Sequence, residues 1–330
     1  MEAKRMRVFI TGATGFLGGA LARAMAQQGA DVHALARPTA DLTGLDGVAI
    51  TWHEGDVTVA KTLSGIMAGA EWIIHAAGRL GQAGVPEELY HRLHAEGTRN
   101  VMAAALATGG QPRVLHVSSP GVLGPITGRP AAEDAPYAPS NPYERSKVAG
   151  ERVALEFASR GLAVVICRPE FVYGPGDRHV LGLFRAVQRG RFFFIGSGRH
   201  FCHPTFVADA VTGMLLCLRC GRSGAIYHLA GPRPVTFREL GETIATALGV
   251  PPPWMSLPRW SAMLAAMGFE LLGCLSGWKP PLSRTGVAFF SEDRRYSWQR
   301  AHEELGYTPE CDLATGVARA ITWYRQQGWL

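Results

Sequence analysis

The chain has 330 residues, of which 47% are hydrophobic and 18% are charged, with 40 glycines. This composition is typical of a compact globular protein and excludes a disordered or collagen-like chain, and the length suits a large α/β domain with an appended lobe. The net charge of +6 comes from 33 basic residues scattered among 27 acidic ones, which argues against nucleic acid as a partner and suits an anionic cofactor or a membrane surface.

The cysteine pattern and the first residues bear on the compartment. The six cysteines lack the dense, regular spacing of a secreted disulfide scaffold, and the first residues run directly into a strand pattern rather than into a signal-peptide core. No run approaches the roughly eighteen apolar residues of a spanning helix. We therefore expect a cytoplasmic protein.

Short apolar runs alternate with longer helical patterns in the first half of the chain. The predicted buried strands are residues 7–11, 31–36, 49–53, 72–76, 113–117 and 163–168. This alternation predicts an α/β fold with a Rossmann-type, doubly wound parallel sheet. Prolines interrupt the pattern after Gly174, so residues 1–175 are predicted to form the Rossmann domain and residues 176–330 mainly a smaller substrate-binding lobe, with segments that return to the first domain.

Three glycines follow the first predicted strand. Gly12, Gly15 and Gly18 lie between that strand and a helix predicted over residues 16–28. In a dinucleotide-binding turn the first glycine allows a tight turn, the second allows close approach of a pyrophosphate, and the third allows the helix to pack against the strand. A merely structural turn is the alternative, but the position at the start of an alternating chain favours a cofactor site.

The end of the second predicted strand bears on the choice of cofactor. NAD-binding chains usually carry an acidic residue there, roughly twenty residues beyond the glycines, for the ribose hydroxyls. This chain has Arg37 instead. A guanidinium suits a 2′-phosphate, so we predict NADP with NAD as the alternative; otherwise Arg37 is a solvated surface residue.

A helix start near residue 141 carries a tyrosine and a lysine. Ser140 or Asn141 can cap this helix and Pro142 suits its first turn. Tyr143 and Lys147 are four residues apart, so their side chains leave the helix on one face. A nearby ammonium favours the phenolate and brings the tyrosine pKa towards working pH, so the pair predicts a proton relay.

Two serines end the fifth predicted strand. Ser118 and Ser119 are thereby placed at the carboxyl edge, where a doubly wound sheet binds its ligands. A hydroxyl at this edge can orient a substrate oxygen towards Tyr143.

These motifs together resemble the extended short-chain dehydrogenases/reductases, the NAD-dependent epimerase/dehydratase superfamily. The motifs that carry the resemblance are residues 11–18, 55–57, 75–78, 118–119, 143–147 and 168–177. The tail segments 280–284, 304–309 and 323–325 resemble the 3β-hydroxysteroid dehydrogenase-like and bacterial ketoreductase branch. The resemblance implies a homodimer and the interconversion of a ketone and a secondary alcohol.

The resemblance also assigns residues to roles. It implies Ser119, Tyr143 and Lys147 as the catalytic residues. With the glycine turn and Arg37 included, the expected cofactor contacts are Gly12, Thr14, Gly15, Phe16, Leu17, Gly18, Arg37, Asp56, Val57, Ala76, Ala77, Gly78, Ser118, Tyr143, Lys147, Pro169, Phe171 and Val172. The expected substrate contacts are Leu80, His94, Ser119, Pro120, His179 and His203.

Two departures from the family pattern affect the function. The segment 202–209 lacks an arginine that nucleotide-sugar epimerases usually carry there, which weakens a nucleotide-sugar substrate. His94 stands where the family usually has asparagine. The alternatives that remain are a nucleotide-sugar epimerase or dehydratase, which would use the same tyrosine, and a non-catalytic nucleotide sensor, which would need neither Tyr143 nor Lys147.

Some histidines and cysteines have spacings that a metal could use. Cys217 and Cys220 form a Cys-x-x-Cys without a second pair, and His91 with His94 and the group at 200–203 lack further strong ligands. We expect no metal site.

The last feature is an apolar segment, residues 254–278. From Trp260 to Leu275 its only charge is Glu270, with tryptophans near both ends and Arg259, Lys279 and Arg284 beside it. Such a helix is buried, packed on a partner, or laid on a membrane. We expect it to cap an apolar pocket and to give weak peripheral membrane contact.

Overall fold

The computed structural model describes residues 5–276 and 282–330. Strands occur along most of the chain, and most of those in the second half have only two residues. They are β1 (Arg7–Thr11), β2 (Asp31–Ala36), β3 (Ile50–Glu54), β4 (Trp72–His75), β5 (Arg113–Val117), β6 (Ala163–Pro169), β7 (Val172–Tyr173), β8 (Phe194–Ile195), β9 (Phe201–Cys202), β10 (Thr205–Phe206), β11 (Ile226–Leu229), β12 (Val235–Thr236) and β13 (Ser256–Leu257).

The helices separate these strands and cover both faces of the sheet. They are α1 (Phe16–Gln27), α2 (Glu87–His91), α3 (Gly97–Ala107), α4 (Pro142–Ser159), α5 (Leu181–Gln188), α6 (Val207–Cys220), α7 (Phe237–Leu248), α8 (Arg259–Ser276), α9 (Arg284–Phe290), α10 (Gln299–Leu305) and α11 (Leu313–Gln326). A π-helical turn over Arg92–Glu96 joins α2 to α3.

The central sheet has seven parallel strands in the order β11-β6-β5-β4-β1-β2-β3, which confirms the predicted doubly wound parallel fold. Alternate residues of β1 face opposite layers: Val8 and Ile10 pack with α1 and α6, and Phe9 packs with α3 and α4. Because helices cover both faces, the central strands β1, β4 and β5 are buried over nearly all their residues, whereas the edge strand β3 is not.

The predicted strands agree with the observed ones at nearly every residue. β1, β2 and β5 have the predicted bounds, and the ends of β3, β4 and β6 differ from the prediction by one residue. The seventh strand, β11, was not predicted, because its four residues lie in the irregular second half of the chain. It pairs with β6 at the edge of the sheet.

The strand order reverses between β1 and β4, which pair with each other. In a doubly wound sheet a crevice opens at such a point, beyond the carboxyl ends of the strands. The turns that follow β1 and β4 therefore meet where a ligand is expected.

The second half of the chain contributes to both layers of the molecule. Helix α6 packs on the sheet beside α1, and β11 extends the sheet. Helix α10 also packs on α6 and β11. In the rest of this half, which we call the C-terminal lobe, α7 packs against α5 and α11, and α8 against α9. Residues 207–229 are thus segments that return to the sheet beyond residue 175.

Helix α8 lies at the surface of this lobe. Ala262 and Ala266 are fully buried, whereas Trp260, Leu264 and Leu271 are 60–69% exposed. Burial of the whole helix in the lobe, one of the three alternatives for this segment, is therefore wrong. Across residues 5–276 and 282–330, we find no helix with the length and apolar character needed to cross a membrane.

Candidate active site

A large cleft opens at the carboxyl ends of β1 and β4 and extends along the C-terminal lobe. Its volume is about 2290 Å³, which exceeds the roughly 300–1,000 Å³ typical of a single small-molecule pocket. Its walls include the glycine turn after β1, the start of α4, the segment after β6, and parts of α9. The cleft has room for a dinucleotide together with a second ligand.

The turn after β1 requires glycine at two positions. Gly12 has a φ of 79°, and a Cβ atom there would lie 2.6 Å from the carbonyl carbon of Ala76 in the neighbouring turn. A Cβ atom on Gly18 would overlap the carbonyl oxygen of Gly12. The turn itself is closed by a hydrogen bond of 2.9 Å from the Gly15 amide to the Gly12 carbonyl.

The helix that follows presents free backbone donors to the cleft. Gly15 precedes α1 without a side-chain cap, and the first turn of α1 carries no acidic residue. The first amides of a helix have no partner within it, and its dipole favours an anion. This arrangement fits the pyrophosphate of a dinucleotide.

Arg37 directly follows β2 and lines the cleft with an exposed side chain. Strand β2 ends in Leu35 and Ala36, so no carboxylate ends it. This placement brings a guanidinium to the edge of the cleft where an adenosine ribose would lie in a doubly wound fold.

Helix α4 positions the tyrosine and the lysine. Asn141 caps the helix by accepting a hydrogen bond of 3.0 Å from the Glu144 amide, and Pro142 occupies the first turn, as predicted. Tyr143 and Lys147 line the cleft one turn apart. The Lys147 ammonium donates a 2.9 Å hydrogen bond to the carbonyl of Val117, the last residue of β5.

Ser119 meets Tyr143 across the cleft. It follows β5, accepts a 3.2 Å hydrogen bond from the Gly121 amide, and lies close enough to the Tyr143 hydroxyl to lower the tyrosine pKa by hydrogen bonding. A serine and a tyrosine hydroxyl joined in this way can both contact one substrate oxygen.

Burial decides the charge states of the pair. Burial raises the pKa of Tyr143 to about 12, although the hydrogen bond with Ser119 opposes the shift. Burial also lowers the pKa of Lys147 to about 8. The predicted lowering of the tyrosine pKa by the lysine is therefore not found, because burial and the nearby Glu144 and Glu170 carboxyls raise it. Tyr143 is a protonated phenol, able to donate a proton.

His94 lies behind the catalytic helix and joins two segments. Its Nδ1 lies 2.7 Å from the Ser146 hydroxyl, and its Nε2 accepts a 3.0 Å hydrogen bond from the Arg79 amide. Since Ser146 donates its own proton to the Tyr143 carbonyl, we assign the ring proton of His94 to Nδ1. Burial, with Lys147 nearby, lowers the pKa of His94 to about 2.

This geometry changes the role expected for His94. Both of its ring nitrogens are occupied within the protein and the side chain does not line the cleft. The prediction that His94 contacts the substrate is therefore wrong. Instead it holds the loop at residues 78–81 against α4.

The other predicted residues divide into two groups. Those that line the cleft are Gly12, Thr14, Gly15, Phe16, Leu17, Gly18, Arg37, Ala76, Gly78, Leu80, Ser118, Ser119, Tyr143, Lys147, Pro169, Phe171, Val172 and His179. Those that are absent from its walls are Asp56, Val57, Ala77, Pro120 and His203. Asp56 bonds Thr58, and the buried His203 bonds the Gly231 carbonyl through Nε2, so these side chains are engaged elsewhere.

The structure adds residues that the sequence did not single out. Glu144 and Glu170 line the cleft near Tyr143, and Arg294 lines it with a hydrogen bond to Glu144. The lobe adds apolar side chains, namely Leu282, Phe289, Phe290, Phe192, Phe193 and Ile195. Glu144, Glu170 and Leu282 lay within segments that carry the family resemblance, but their side chains were given no role, and at Glu170 the backbone was the expected contact. The rest come from segments without a recognisable pattern.

The Cys-x-x-Cys pair lies in α6, away from the walls of the cleft. Cys217 is buried in the core, and Cys220 is exposed at the end of the helix. Within the described ranges, no three histidine, cysteine or acidic side chains come together in a metal-binding group.

Comparison with known proteins places these features in context. The chain is 30% identical to a 4-hydroxy-2-methyl-3-oxo-4-farnesyl-3,4-dihydroquinoline-1-oxide ketoreductase from Stigmatella aurantiaca, over 92% of each protein. It is 27% identical to a 2-alkyl-3-oxoalkanoate reductase from Stenotrophomonas maltophilia, over 95% of this chain and 98% of that protein.

A solved structure shows the same architecture around a nucleotide. The dTDP-glucose 4,6-dehydratase DesIV from Streptomyces venezuelae, crystallised with NAD, superposes with a TM-score of 0.81 at 26% identity, over 98% of each chain. The sequence profile of the NAD dependent epimerase/dehydratase family matches residues 8–230. The chain, with its glycine turn and its Ser119, Tyr143 and Lys147 cleft, therefore belongs to the NAD-dependent epimerase/dehydratase family, the extended short-chain dehydrogenases/reductases.

Proposed function

We propose that the protein is an NAD(P)-dependent oxidoreductase that interconverts a ketone and a secondary alcohol on an apolar substrate of steroid, lipid or polyketide type. The observation that carries the proposal is the placement of Tyr143, Ser119 and Lys147 in one cleft with a glycine turn suited to a dinucleotide. The names of the ketoreductase and the oxoalkanoate reductase among the relatives support it.

Residues of the protein position the cofactor and the substrate and transfer the proton. The first turn of α1 and Lys147 would hold a nicotinamide dinucleotide, which supplies or accepts the hydride when bound. Ser119 and Tyr143 hydrogen bond the substrate carbonyl oxygen. As negative charge develops on that oxygen, the protonated Tyr143 donates its proton and Ser119 stabilises the charge. The protonated tyrosine is the form that ketone reduction requires.

The wall of the cleft supports an apolar substrate. Phe289 and Phe290 belong to an aromatic cluster with Phe171 and Phe192, whose ring centroids are 5.3–6.1 Å apart. Such rings bind apolar skeletons through large buried areas.

A turnover screen tests the proposal against its alternative. Both cofactors are offered with steroids, long-chain β-keto acids, aromatic ketones and nucleotide-sugars, and nicotinamide absorbance is followed. Stoichiometric oxidation of NADPH with an apolar ketone is expected. Conversion of a nucleotide-sugar without net change in absorbance would support the epimerase or dehydratase alternative, which the DesIV likeness favours. A Tyr143→Phe variant with full biological function would support a sensor.

Arg37 makes NADP the proposed preference over NAD. We expect Arg37→Asp to shift kcat/KM from NADP towards NAD, because the substitution removes a phosphate partner and supplies an acceptor for ribose hydroxyls. An exposed arginine away from the cleft, Arg129→Asp, is the matched control. A wild-type preference for NAD of about tenfold, or roughly 1.4 kcal/mol, would contradict this reading.

The exposed face of α8 and the preceding loop support the proposed membrane contact. Seven large apolar residues between 254 and 272 are at least 38% exposed, and Trp254 reaches 82%. Trp260, Leu264, Met267 and Leu271 follow helical spacing along one stripe. Tryptophans on an apolar stripe are typical of helices that lie at a lipid interface. The expected contributions of Trp278 and Lys279 lie outside the described residues.

Co-sedimentation with anionic liposomes tests this contact. At low salt the wild type should pellet with vesicles, and a Leu264→Glu, Leu271→Glu double variant should remain in the supernatant, because each charge would enter the apolar interface. Leu106→Glu, an exposed leucine on α3, is the control. The contrary outcome is a wild type that does not bind vesicles but forms a dimer, and a double variant that is monomeric. That result would make the stripe a subunit interface of the expected homodimer.

A further inference from the structure

An acidic side chain with an unused oxygen lines the cleft. Glu170 follows β6 directly, and only 5% of its surface is exposed. Its Oε1 atom has no hydrogen-bond partner in the part of the chain that the structure describes. A buried polar atom without a partner is costly, and at the wall of a cleft it is a place where a ligand atom can bind.

Arg294 lines the same cleft and also has an unused polar atom. Its Nη1 donates a 3.2 Å hydrogen bond to Glu144, and its Nη2 lies 3.7 Å from Glu292. Its Nε is buried and lacks a hydrogen-bond partner among the residues described. An arginine Nε–H is a donor only, so its free position requires an acceptor.

Burial is the main cause of the Glu170 protonation state, and the charges around the carboxyl modify it. Those that act on it or share its surroundings are Tyr143 and Glu144 on α4, Cys202 on β9, and Glu292, Arg294 and Tyr296 in the segment after α9. The carboxylates outnumber the single guanidinium. Burial, with Glu144 nearby, raises the pKa of Glu170 to about 8 against the effect of Arg294. Glu170 therefore carries a proton at neutral pH and can donate it in a hydrogen bond.

The backbone holds this carboxyl in place. Phe171, the next residue, has a φ of 34°, which is uncommon for a residue other than glycine. The Glu170 carbonyl accepts a 2.6 Å hydrogen bond from Thr205, and its amide donates to the Leu229 carbonyl at 3.0 Å. The backbone that carries the Glu170 side chain is thus held on both sides, which limits the positions that its carboxyl can take before a ligand binds.

We propose that Glu170 and Arg294 form a subsite that binds a second oxygen of the substrate, a carbonyl or carboxylate oxygen, while Ser119 and Tyr143 bind the reacting ketone. The inference rests on the proposed function and adds a substrate class, ketones with a second oxygen acceptor. Both groups of the subsite are donors, so an acceptor satisfies them together. The subsite is close to the reacting centre, because the charges of Glu144 and Glu170 act on Tyr143 and Arg294 binds Glu144.

The test compares two substrates within each enzyme preparation. A β-keto ester and a plain ketone of equal chain length are reduced with NADPH, and the ratio of their kcat/KM values is taken. A partly unfolded preparation leaves this ratio unchanged, since both substrates report the same active fraction. Wild type should favour the β-keto ester about tenfold, mainly through KM, as expected for one well-made hydrogen bond to a buried group.

Two substitutions at Glu170 separate the loss of its hydrogen-bond donor from the change in side-chain shape. Glu170→Leu removes the donor, and its ratio should fall about tenfold below that of wild type. Glu170→Gln keeps an N–H donor, and its ratio should remain within about threefold of wild type. Glu310→Leu, an exposed glutamate away from the cleft, is the control for the change of residue type.

The pH dependence of the ratio gives a second readout. In wild type the preference should decline as pH rises through about 8, because Glu170 loses its proton and then repels the substrate oxygen, and Glu170→Gln should show a flat ratio. Titration of Lys147 affects both substrates and cancels. An unchanged ratio in Glu170→Leu, or a wild-type ratio near one, would overturn the subsite while the proposed function stands. No turnover of either substrate by wild type would overturn both.

Discussion

A Tyr143→Phe variant is expected to lose about 10³-fold in kcat while it binds the dinucleotide as wild type does. General acid catalysis contributes typically 10²–10⁴-fold, and phenylalanine keeps the ring but removes the proton. Burial raises the pKa of Tyr143 to about 12, so the phenol is the form present at neutral pH. The ring contacts with Tyr90 and His94, at centroid distances of 6.0 and 5.6 Å, remain available to phenylalanine.

Single-turnover absorbance of NADPH measures the step, and quenching of protein fluorescence measures cofactor affinity. Tyr137→Phe is the matched control, because Tyr137 loses one hydrogen bond, to Glu151, away from the walls of the cleft. A near-normal kcat in Tyr143→Phe would move the proton transfer to another group. Glu170 would then be the first residue to test, since both nitrogens of His94 are occupied.

A Lys147→Ala variant is expected to lose both turnover, about 10²-fold, and cofactor affinity, about tenfold. The substitution removes the cation that faces the cleft beside Tyr143 and leaves the Val117 carbonyl, its 2.9 Å partner, without a donor. The double loss distinguishes a residue that binds the cofactor from Tyr143, which should affect turnover alone.

Lys147→Met separates charge from packing, because methionine fills most of the buried stem without an ammonium. It should retain the thermal stability that Lys147→Ala loses, yet show the same weak cofactor binding. Lys61→Ala, an exposed lysine, is the control. Wild-type cofactor affinity in both variants at position 147 would show that the lysine only packs beneath the site.

Local sequence patterns were sufficient to predict the nucleotide-binding half of the fold. The strands β1, β2 and β5 agree with their predicted bounds, because short apolar runs between turn residues are recognisable without tertiary information. The glycine turn and the capped start of α4 are local as well. Gly18 is required by its approach to the Gly12 carbonyl, and Asn141 caps three residues away, whereas Gly12 combines a locally set positive φ with a close approach to Ala76 that only the tertiary structure shows.

Only the tertiary structure decided the charge states, the wall of the cleft and the surface. Tyr143 and Lys147 are adjacent in the sequence pattern, but their pKa values depend on burial by segments from across the chain. Glu170 and Arg294 are separated by more than a hundred residues and meet because β6 and the segment after α9 border one cleft. The sequence pattern of α8 did not decide whether its apolar residues are buried or exposed. Which face of a helix is covered depends on what packs against it, and that information is not local.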